Sequence, residues 1–200
     1  FADKLFLVDE QRQREIYAQI KNRTMIGGLG ILANMDAIDY LCQNKISGAI
    51  VECGVWKGGS VAAMLSRLMD NNDKTRKVFL FDTFAGMTAP TAFDKKGSVN
   101  VVKKFEDCQK SDHNEWCYSP LTTVKETISM TGYPNSNISY VQGDVLKTLP
   151  ETNTGEIALL RLDTDWYEST KCEMEYLFPK VVHGGVIIID DYGAWEGARK

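Results

Sequence analysis

Residues 49–60 read AIVECGVWKGGS, a short apolar run followed by a turn with three glycines and then a serine. An apolar run bounded by glycine is typical of a buried strand, and Ser60 predicts the N-cap of a helix that runs through Leu68. The stretch is therefore a strand, glycine turn and helix unit. In such units, glycines let a ligand approach the backbone N–H groups at the helix N-terminus.

The same alternation of strand and helix continues along the chain. Further strands are predicted at 77–82, 138–144 and 157–163, and a fifth ends at Asp191; helices are predicted at 8–24, from Asn34 to the Ser47-Gly48 stop, and at 99–108, 120–132 and 167–181. This order favours an α/β fold with a doubly wound, mostly parallel, Rossmann-like sheet. We expect residues 1–47 to form an N-terminal helical segment or lid, and residues 48–200 to form the core.

Composition limits the classes of function. The chain has 200 residues, 44% of them hydrophobic, enough for one substantial core. The formal charge is 23 − 27 = −4 and the basic residues are scattered, which argues against nucleic acid as a partner. Five cysteines without framework spacing fit reduced thiols. With no membrane-length apolar run and no signal-peptide pattern, we expect a soluble cytoplasmic protein.

Acidic residues follow every predicted strand. They are Glu52 on strand one, Asp82 on strand two, Asp144 on strand three, Asp163 and Asp165 on strand four, and Asp190 and Asp191 on strand five. Ligands of parallel α/β sheets bind outside the carboxyl ends of the strands, so this row describes a polar ligand lying across that edge. The acids of the last two strands are expected to hold a divalent cation or to move a proton.

The glycine turn departs from the dinucleotide fingerprint. Its pattern is E-x-G-x-x-x-G-G-S rather than G-x-G-x-x-G. Glu52, two residues before the first glycine, would repel a pyrophosphate and attract an ammonium group. The turn therefore favours a ligand with an amino-acid moiety; the alternative is that the glycines serve only a tight turn. A zinc site at Cys108, His113 and Cys117 is an alternative for the loop region, but it lacks a fourth ligand.

Five runs in order resemble one family. They are Val51–Ser60, Leu80–Met87, Gln142–Asp144 followed by Thr148–Pro150, Leu160–Thr170, and Gly184–Tyr192. Together they resemble the macrocin O-methyltransferase (TylF-like) family of class I S-adenosylmethionine-dependent enzymes, over roughly residues 24 to 200. The resemblance implies O-methyl transfer from S-adenosyl-L-methionine, assisted by Mg²⁺, to a hydroxyl of a small molecule, with a sugar or a glycosylated natural product as the leading acceptor.

The resemblance also implies roles for individual residues. The cofactor-binding residues would be Glu52, Gly54, Val55, Trp56, Gly59 and Ser60 toward the methionine end, Asp82 and Thr83 at the ribose, Gly143 and Asp144 at the adenine, and Asp163. Mg²⁺ would lie between Asp163, Asp190 and Asp191. Either Asp163 or Asp165 would take the proton. The segment 83–118 and the joint Met25–Gly30 are expected to line the acceptor side.

Several alternatives stay open. Class I methyltransferases add two further strands after the fifth, whereas this chain ends at Lys200, so the sheet is expected to lack its last strands. A non-catalytic S-adenosylmethionine-binding module would share the fold, as would a nucleotide-dependent oxidoreductase, although the glycine spacing disfavours the latter. Methylation at nitrogen and homo-oligomer formation are not decided. Arg161 is unusual in an apolar strand; we expect it to pair with an acid and assign it no role.

Overall fold

The protein folds around one parallel sheet of five strands, as predicted. The computed structural model describes residues 10–200, and the strand order is β3-β2-β1-β4-β5 with every neighbouring pair parallel. The strands are β1 Ala49–Cys53, β2 Val78–Asp82, β3 Ile138–Gln142, β4 Ile157–Leu162 and β5 Val181–Ile189. The order reverses beside β1, so the carboxyl ends of β1 and β4 flank the point where such sheets bind ligands.

Seven helices surround the sheet in residues 10–200. They are α1 Glu10–Ile20, α2 Gly28–Gln43, α3 Gly59–Asp70, α4 Val101–Asp107, α5 Leu121–Ser129, α6 Val145–Thr148 and α7 Tyr167–Leu177, with short 3₁₀ turns at Asn135–Asn137, Leu149–Glu151, Phe178–Lys180 and Asp190–Gly193. No helix among these residues is long and apolar enough to cross a membrane.

The sheet is covered on both faces. Helices α2, α3 and α5 pack on the face that carries Ile50 and Leu80, and α6 and α7 pack on the face that carries Val51 and Phe81. Strands β1 and β4 lie in the middle, and all their residues are buried. Continuous apolar strands are typical of a parallel sheet covered by helices on both faces. Two central positions are nevertheless charged, Glu52 and Arg161.

The N-terminal helices belong partly to this core. Ile16 and Ile20 of α1 pack with Met35 of α2 and Ala62 of α3. Helix α2 also contributes Ile38 to the main core beside the sheet. The lid role of residues 1–47 stays a prediction, and residues 1–9 of that segment lie outside the described part of the chain.

Several predicted boundaries were wrong. Helix α2 begins at Gly28 rather than Asn34, so half of the predicted glycine-rich joint Met25–Gly30 is helical. Helix α7 ends at Leu177 rather than at residue 181, and β5 runs from Val181 to Ile189, with Gly184 and Gly185 inside it, rather than to Asp191. Ser60 does not cap α3: the N-cap is Gly58, with φ +82°. Glycine adopts this left-handed backbone without a Cβ penalty, which frees Ser60 to accept a hydrogen bond from Asn34 Nδ2 at 2.7 Å.

Candidate active site

The carboxyl ends of the strands open into one cavity of about 480 Å³. This volume is in the range of small-molecule sites. Seven predicted cofactor-binding residues line it: Gly54, Trp56, Asp82, Thr83, Gly143, Asp144 and Asp163. The other predicted acids of β4 and β5 line it as well: Asp165, Asp190 and Asp191. The structure therefore brings together acids from four of the five strands at one edge.

Four predicted cofactor residues do not line the cavity: Glu52, Val55, Gly59 and Ser60. The Glu52 side chain is fully buried, and its Oε1 accepts a hydrogen bond from Arg161 Nη1 at 2.6 Å. Burial raises the pKa of Glu52 to about 6, against the opposing effect of Arg161. Its ionic partner in this structure is therefore an internal guanidinium, whereas the sequence suggested the ammonium group of a ligand.

The N-terminus of α3 is covered by the chain itself. The Gly59 N–H donates to the Arg23 carbonyl at 2.9 Å, and a Cβ at Gly59 would collide with the same carbonyl. The carbonyl of Arg23, in the loop between α1 and α2, thus lies at the helix N-terminus where the sequence suggested a ligand. Gly54 has a similar reason to lack a side chain, because with φ +82° its Cβ would collide with the backbone oxygen of Asp163. Both glycines bring segments of this chain together.

Asp82 organises the glycine turn. Its Oδ2 accepts hydrogen bonds from the backbone N–H groups of Val55 at 2.7 Å and Trp56 at 3.0 Å, and its Oδ1 accepts from Phe84 at 2.7 Å. Burial raises the pKa of Asp82, and these N–H groups counteract the rise. The carboxylate therefore fixes the loops after β1 and β2 on the side of the cavity where the ribose was predicted.

Asp144 lies on the neighbouring wall. Its Oδ1 accepts a hydrogen bond from the Leu146 N–H at 3.0 Å, so the residue caps α6. Gly143 before it has φ +137°, a backbone conformation open to glycine. The turn between β3 and α6 thus presents a wall with little side-chain bulk.

Arg161 links the acids of three strands. Its Nη1 donates to Glu52 Oε1 and to Asp163 Oδ2, at 2.6 and 2.7 Å, and its Nη2 donates to Asp190 Oδ1 at 2.8 Å. The side chain is fully buried. Although burial disfavours its charge, the three carboxylates raise the pKa of Arg161 above its usual value. The expected pairing with an acid is thus confirmed, with three partners.

The predicted metal ligands come together. Asp163, Asp190 and Asp191 each offer an oxygen, and these atoms lie within 4.8 Å of one another. One oxygen of each residue accepts a hydrogen bond from the protein: from Arg161 for Asp163 and Asp190, and from the Asp165 N–H at 3.1 Å for Asp191. The arrangement therefore presents three separate oxygens, the ligands that Mg²⁺ and Ca²⁺ prefer.

In the absence of a cation, two carboxylates of this cluster have raised pKa values. Burial and the neighbouring carboxylates raise the pKa of Asp163 well above its usual value, although Arg161 opposes the rise. Burial and Asp165 raise the pKa of Asp191 to about 8. Crowded carboxylates repel one another unless a proton or a cation neutralises them, so the donor set fits a hard divalent ion.

Among residues 10–200, Asp163, Asp190 and Asp191 form the one cluster of at least three acidic, histidine or cysteine ligands close enough to hold a metal ion. Cys108, His113 and Cys117 do not form such a cluster, so the zinc alternative was wrong. The His113 ring instead stacks on Tyr118 and bonds to Asp112 through Nδ1 at 2.8 Å.

Asp165 contacts Asp191 but is not one of the three metal-ligand candidates. Its backbone is left-handed, with φ +68°, a conformation that aspartate tolerates better than most residues. Burial raises its pKa to about 6, against the opposing influence of hydrogen bonds with Asp191 and Trp195. A cavity-lining carboxylate with such a pKa is ionised at neutral pH and can accept a proton.

Three tryptophans form a cluster beside Asp165. Sequence reasoning did not single out two of them, Trp116 and Trp195. Trp166 contacts Trp116 and Trp195 edge-on, with ring centroids 5.5 and 4.9 Å apart. Trp116 and Trp195 line the cavity, whereas Trp166 is buried behind them. The ammonium groups of Lys104 and Lys96 lie over Trp116 and Trp195, at 4.0 and 4.7 Å from the ring centroids.

Two buried acids were also missed. Asp94, in the long segment after β2, accepts a hydrogen bond from the Tyr167 N–H at 2.7 Å and thereby caps α7. Glu173 of α7 is fully buried, and its Oε1 accepts from Thr164 Oγ1 at 2.9 Å. Nothing in the sequence around Glu173 indicates that this glutamate is buried, because α7 carries other acidic residues as well. Asp94 could not be recognised because its partner, Tyr167, is 73 residues away.

The sequence of residues 7–200 matches the model of the macrocin-O-methyltransferase (TylF) family. The chain belongs to this family. One relative is the 8-demethyl-8-(2,3-dimethoxy-alpha-L-rhamnosyl)-tetracenomycin-C 4'-O-methyltransferase of Streptomyces olivaceus. It is 33% identical over an alignment of 173 residues, which covers 84% of this chain. Another is the demethyldecarbamoylnovobiocin O-methyltransferase of Streptomyces niveus, 28% identical over 179 residues and again 84% of this chain. The chain spans 62% of the length of each of these relatives.

Solved structures support the fold of this TylF-family chain. The O-methyltransferase NovP superposes with a TM-score of 0.74 at 26% identity, over 88% of this chain and 70% of NovP. The calicheamicin methyltransferase CalS11 superposes with a TM-score of 0.64 at 20% identity, over 96% of this chain and 82% of CalS11, which bears on the fold alone. The Rossmann-like fold of class I methyltransferases predicted from the sequence is confirmed.

Proposed function

We propose that this protein is an S-adenosylmethionine-dependent O-methyltransferase that methylates a sugar hydroxyl of a small molecule with the help of Mg²⁺. The observation that carries the proposal is the cavity in which Asp163, Asp165, Asp190 and Asp191 converge. Family membership supports methyl transfer, and the tetracenomycin relative, named for a rhamnosyl substrate, supports a sugar-linked acceptor.

The cofactor would occupy the half of the cavity formed by the loops after β1, β2 and β3. Trp56 and Thr83 line it there, and Gly143 leaves room at the wall. S-adenosyl-L-methionine supplies an activated methyl group when bound. The contribution of this chain is orientation: Asp82 fixes the two loops through three backbone N–H groups, so the cavity is shaped before any ligand binds.

The cation would bind between Asp163, Asp190 and Asp191. A Mg²⁺ ion held by these residues would supply a Lewis acid, which lowers the pKa of a coordinated hydroxyl. The three carboxylates supply negative charge, and each has one oxygen held by a donor of the protein. These hydrogen bonds support the proposal, because they would keep the three ligands, and with them the ion, in a defined place.

Asp165 would be the general base. Of the two bases suggested by the sequence, Asp163 accepts a hydrogen bond from Arg161 and would also be a cation ligand. Both positive charges would lower its affinity for a proton. Asp165 lines the cavity outside the three-ligand set, and its pKa of about 6 leaves it ionised at neutral pH. Trp116, which is partly exposed and lines the cavity, offers an aromatic edge against which a sugar ring could pack.

The test is a methyl-transfer assay with S-adenosyl-L-methionine and a panel of glycosides lacking one methyl group, among them the tetracenomycin rhamnoside and demethyldecarbamoylnovobiocin. S-adenosylhomocysteine and the methylated product are measured by mass spectrometry, with MgCl₂ or with a chelator. We expect turnover that requires Mg²⁺ and is lost in Asp163→Ala. Asp112→Ala, at a side chain that is 82% exposed, is the matched control and should keep full activity.

The outcomes separate the parts of the proposal. Turnover that survives both chelation and Asp163→Ala would show that the cation has no role. Calorimetric binding of S-adenosylhomocysteine without transfer to any acceptor would indicate a cofactor-binding module without catalysis. Tighter binding of NAD than of S-adenosylhomocysteine would revive the oxidoreductase alternative.

A further inference from the structure

Arg161 occupies a place in the sheet from which it reaches two candidate cation ligands. In the strand register, Arg161 lies between Glu52 of β1 and Ile188 of β5. Asp163 follows it by two residues, and Asp190 follows Ile188 by two. Residues two apart along a strand lie on the same face of the sheet. Asp163 and Asp190 therefore lie on the same face as Arg161, just beyond the carboxyl ends of β4 and β5 and nearer to the cavity.

The guanidinium contacts each ligand with a different nitrogen. Nη1 holds Asp163 at 2.7 Å and Nη2 holds Asp190 at 2.8 Å, while Nη1 is anchored at the rear by Glu52 at 2.6 Å. The guanidinium is planar and rigid, so these contacts fix the separation of the two carboxylates as well as their rotation. A lysine ammonium has no such fork.

We propose that Arg161 is a positioning residue: anchored on Glu52, it holds Asp163 and Asp190 so that their remaining oxygens are spaced for a divalent cation. The inference rests on the proposed cation site and deepens it, because it assigns a function to two buried residues outside the cavity. Glu52 is thereby assigned to the support of the cation site, on the far side of Arg161 from the cavity.

A simpler role for Arg161 would be to neutralise the surrounding carboxylates. The two roles predict different effects of replacing Arg161 on cation binding. If Arg161 only balanced charge, its removal would relieve repulsion toward the cation and strengthen binding. If it positions the ligands, a replacement that keeps the charge but loses the fork would weaken binding.

The first variant is therefore Arg161→Lys. Binding is measured by calorimetric titration of MgCl₂ into the protein in the absence of cofactor and acceptor. We expect an affinity about 10- to 100-fold below that of the unaltered protein, the usual effect of losing a residue that supports metal ligands. The matched control is Arg67→Lys. Arg67 is also buried and pairs with Asp39 at 2.6 Å, between α3 and α2, so its variant should bind Mg²⁺ normally.

A second variant covers the case in which Arg161→Lys does not fold. In Glu52→Gln/Arg161→Gln the fully buried pair is replaced by neutral side chains and the net charge of the protein is unchanged, while Asp163 and Asp190 lose the fork that holds them. We expect the same loss of Mg²⁺ affinity. Thermal unfolding confirms that each variant used for titration is folded.

Mg²⁺ binding equal to or tighter than that of the unaltered protein, in whichever variant folds, would overturn the inference. Weaker binding in both the Arg161 variant and the Arg67 control would also overturn it, because the effect would then be one of general stability. If the unaltered protein itself binds no Mg²⁺, the proposed cation site fails first, and this result is distinct from the other two.

Discussion

At the scale of single residues, the acids of the cavity divide into three kinds. Asp82 fixes loops, Asp163, Asp190 and Asp191 form the proposed cation site, and Asp165 is the proposed base. The division arises from what each carboxylate already contacts. Residue type alone cannot separate these roles, because all are aspartates at the end of a strand.

Asp165→Asn tests the proposed base. Asparagine tolerates the left-handed backbone at this position and keeps the N–H that donates to Asp191, but it cannot take a proton. We expect kcat to fall about 10²- to 10⁴-fold while the affinity for Mg²⁺ in calorimetry stays unchanged. Asp112→Asn serves as the control. A variant that retains full kcat would assign the proton to another group.

The pH dependence of the proposed reaction in the unaltered protein follows from the same residue. A base works in its ionised form, so kcat should rise with pH and level off above the pKa of Asp165, which is about 6 without a cation. A bound cation nearby favours the ionised form and moves the inflection below that value. A steady-state profile that keeps rising between pH 7 and 9 would exclude Asp165 as the rate-determining base.

At the scale of elements, the long segment after β2 is attached to α7. Trp166 Nε1 donates to the Thr88 carbonyl at 2.9 Å, and Asp94 Oδ1 accepts from the Tyr167 N–H at the first residue of α7. Asp94 Oδ2 also holds Thr91 through its N–H and hydroxyl, at 2.6 and 2.8 Å. One buried carboxylate thus connects the segment that carries the cavity-lining Lys96 to the helix that follows β4.

Asp94→Asn should loosen this connection. The amide has only one acceptor oxygen, so it cannot accept from both Thr91 and the Tyr167 N–H. The substitution also removes a negative charge from the N-terminus of α7, at a cost of about 0.5–2 kcal/mol in the free energy of unfolding. We expect a higher KM for the acceptor, unchanged binding of S-adenosylhomocysteine, and faster amide hydrogen exchange in residues 88–100. Asp107→Asn, at the exposed end of α4 in the same segment, is the control. Equal exchange in the two variants would show that Asp94 does not hold the segment.

The fold and the acid cluster could be predicted because both depend on local patterns. Apolar runs bounded by glycine predict the strands, and an acid that directly follows a strand must lie at its carboxyl end. The partners of Glu52 and Asp94 could not be predicted in this way, because they are 109 and 73 residues away and depend on strand register and loop course. The role of Gly59 was missed for the same reason: its neighbour is Arg23, from a different part of the chain.

At the scale of the whole molecule, buried acids make stability depend on pH. Glu173 is fully buried on α7, and burial raises its pKa from the ordinary 4.5 to about 8. Between these two values the folded protein keeps the proton, whereas the unfolded chain releases it. The folded state therefore binds more protons, and the free energy of unfolding falls as pH rises, by up to about 1.4 kcal/mol per pH unit for one group.

Glu173→Gln removes this dependence. Glutamine has the shape of the protonated acid, and its oxygen can still accept from Thr164 Oγ1, so the variant should be about as stable as the unaltered protein near pH 4.5. As pH rises toward 8, the variant should become progressively more stable than the unaltered protein. The measurement is urea unfolding at several pH values without divalent cations, which would alter the neighbouring acids.

Glu175→Gln is the matched control, because Glu175 lies on the same helix but is exposed to solvent. Its stability relative to the unaltered protein should not change from pH 5 to pH 8. If the difference between Glu173→Gln and the unaltered protein also stays constant over this range, Glu173 is ionised in the folded state. A charged, fully buried carboxylate would then require a positive partner beside α7, and the electrostatic account of the acids behind the cavity would have to be rebuilt around it.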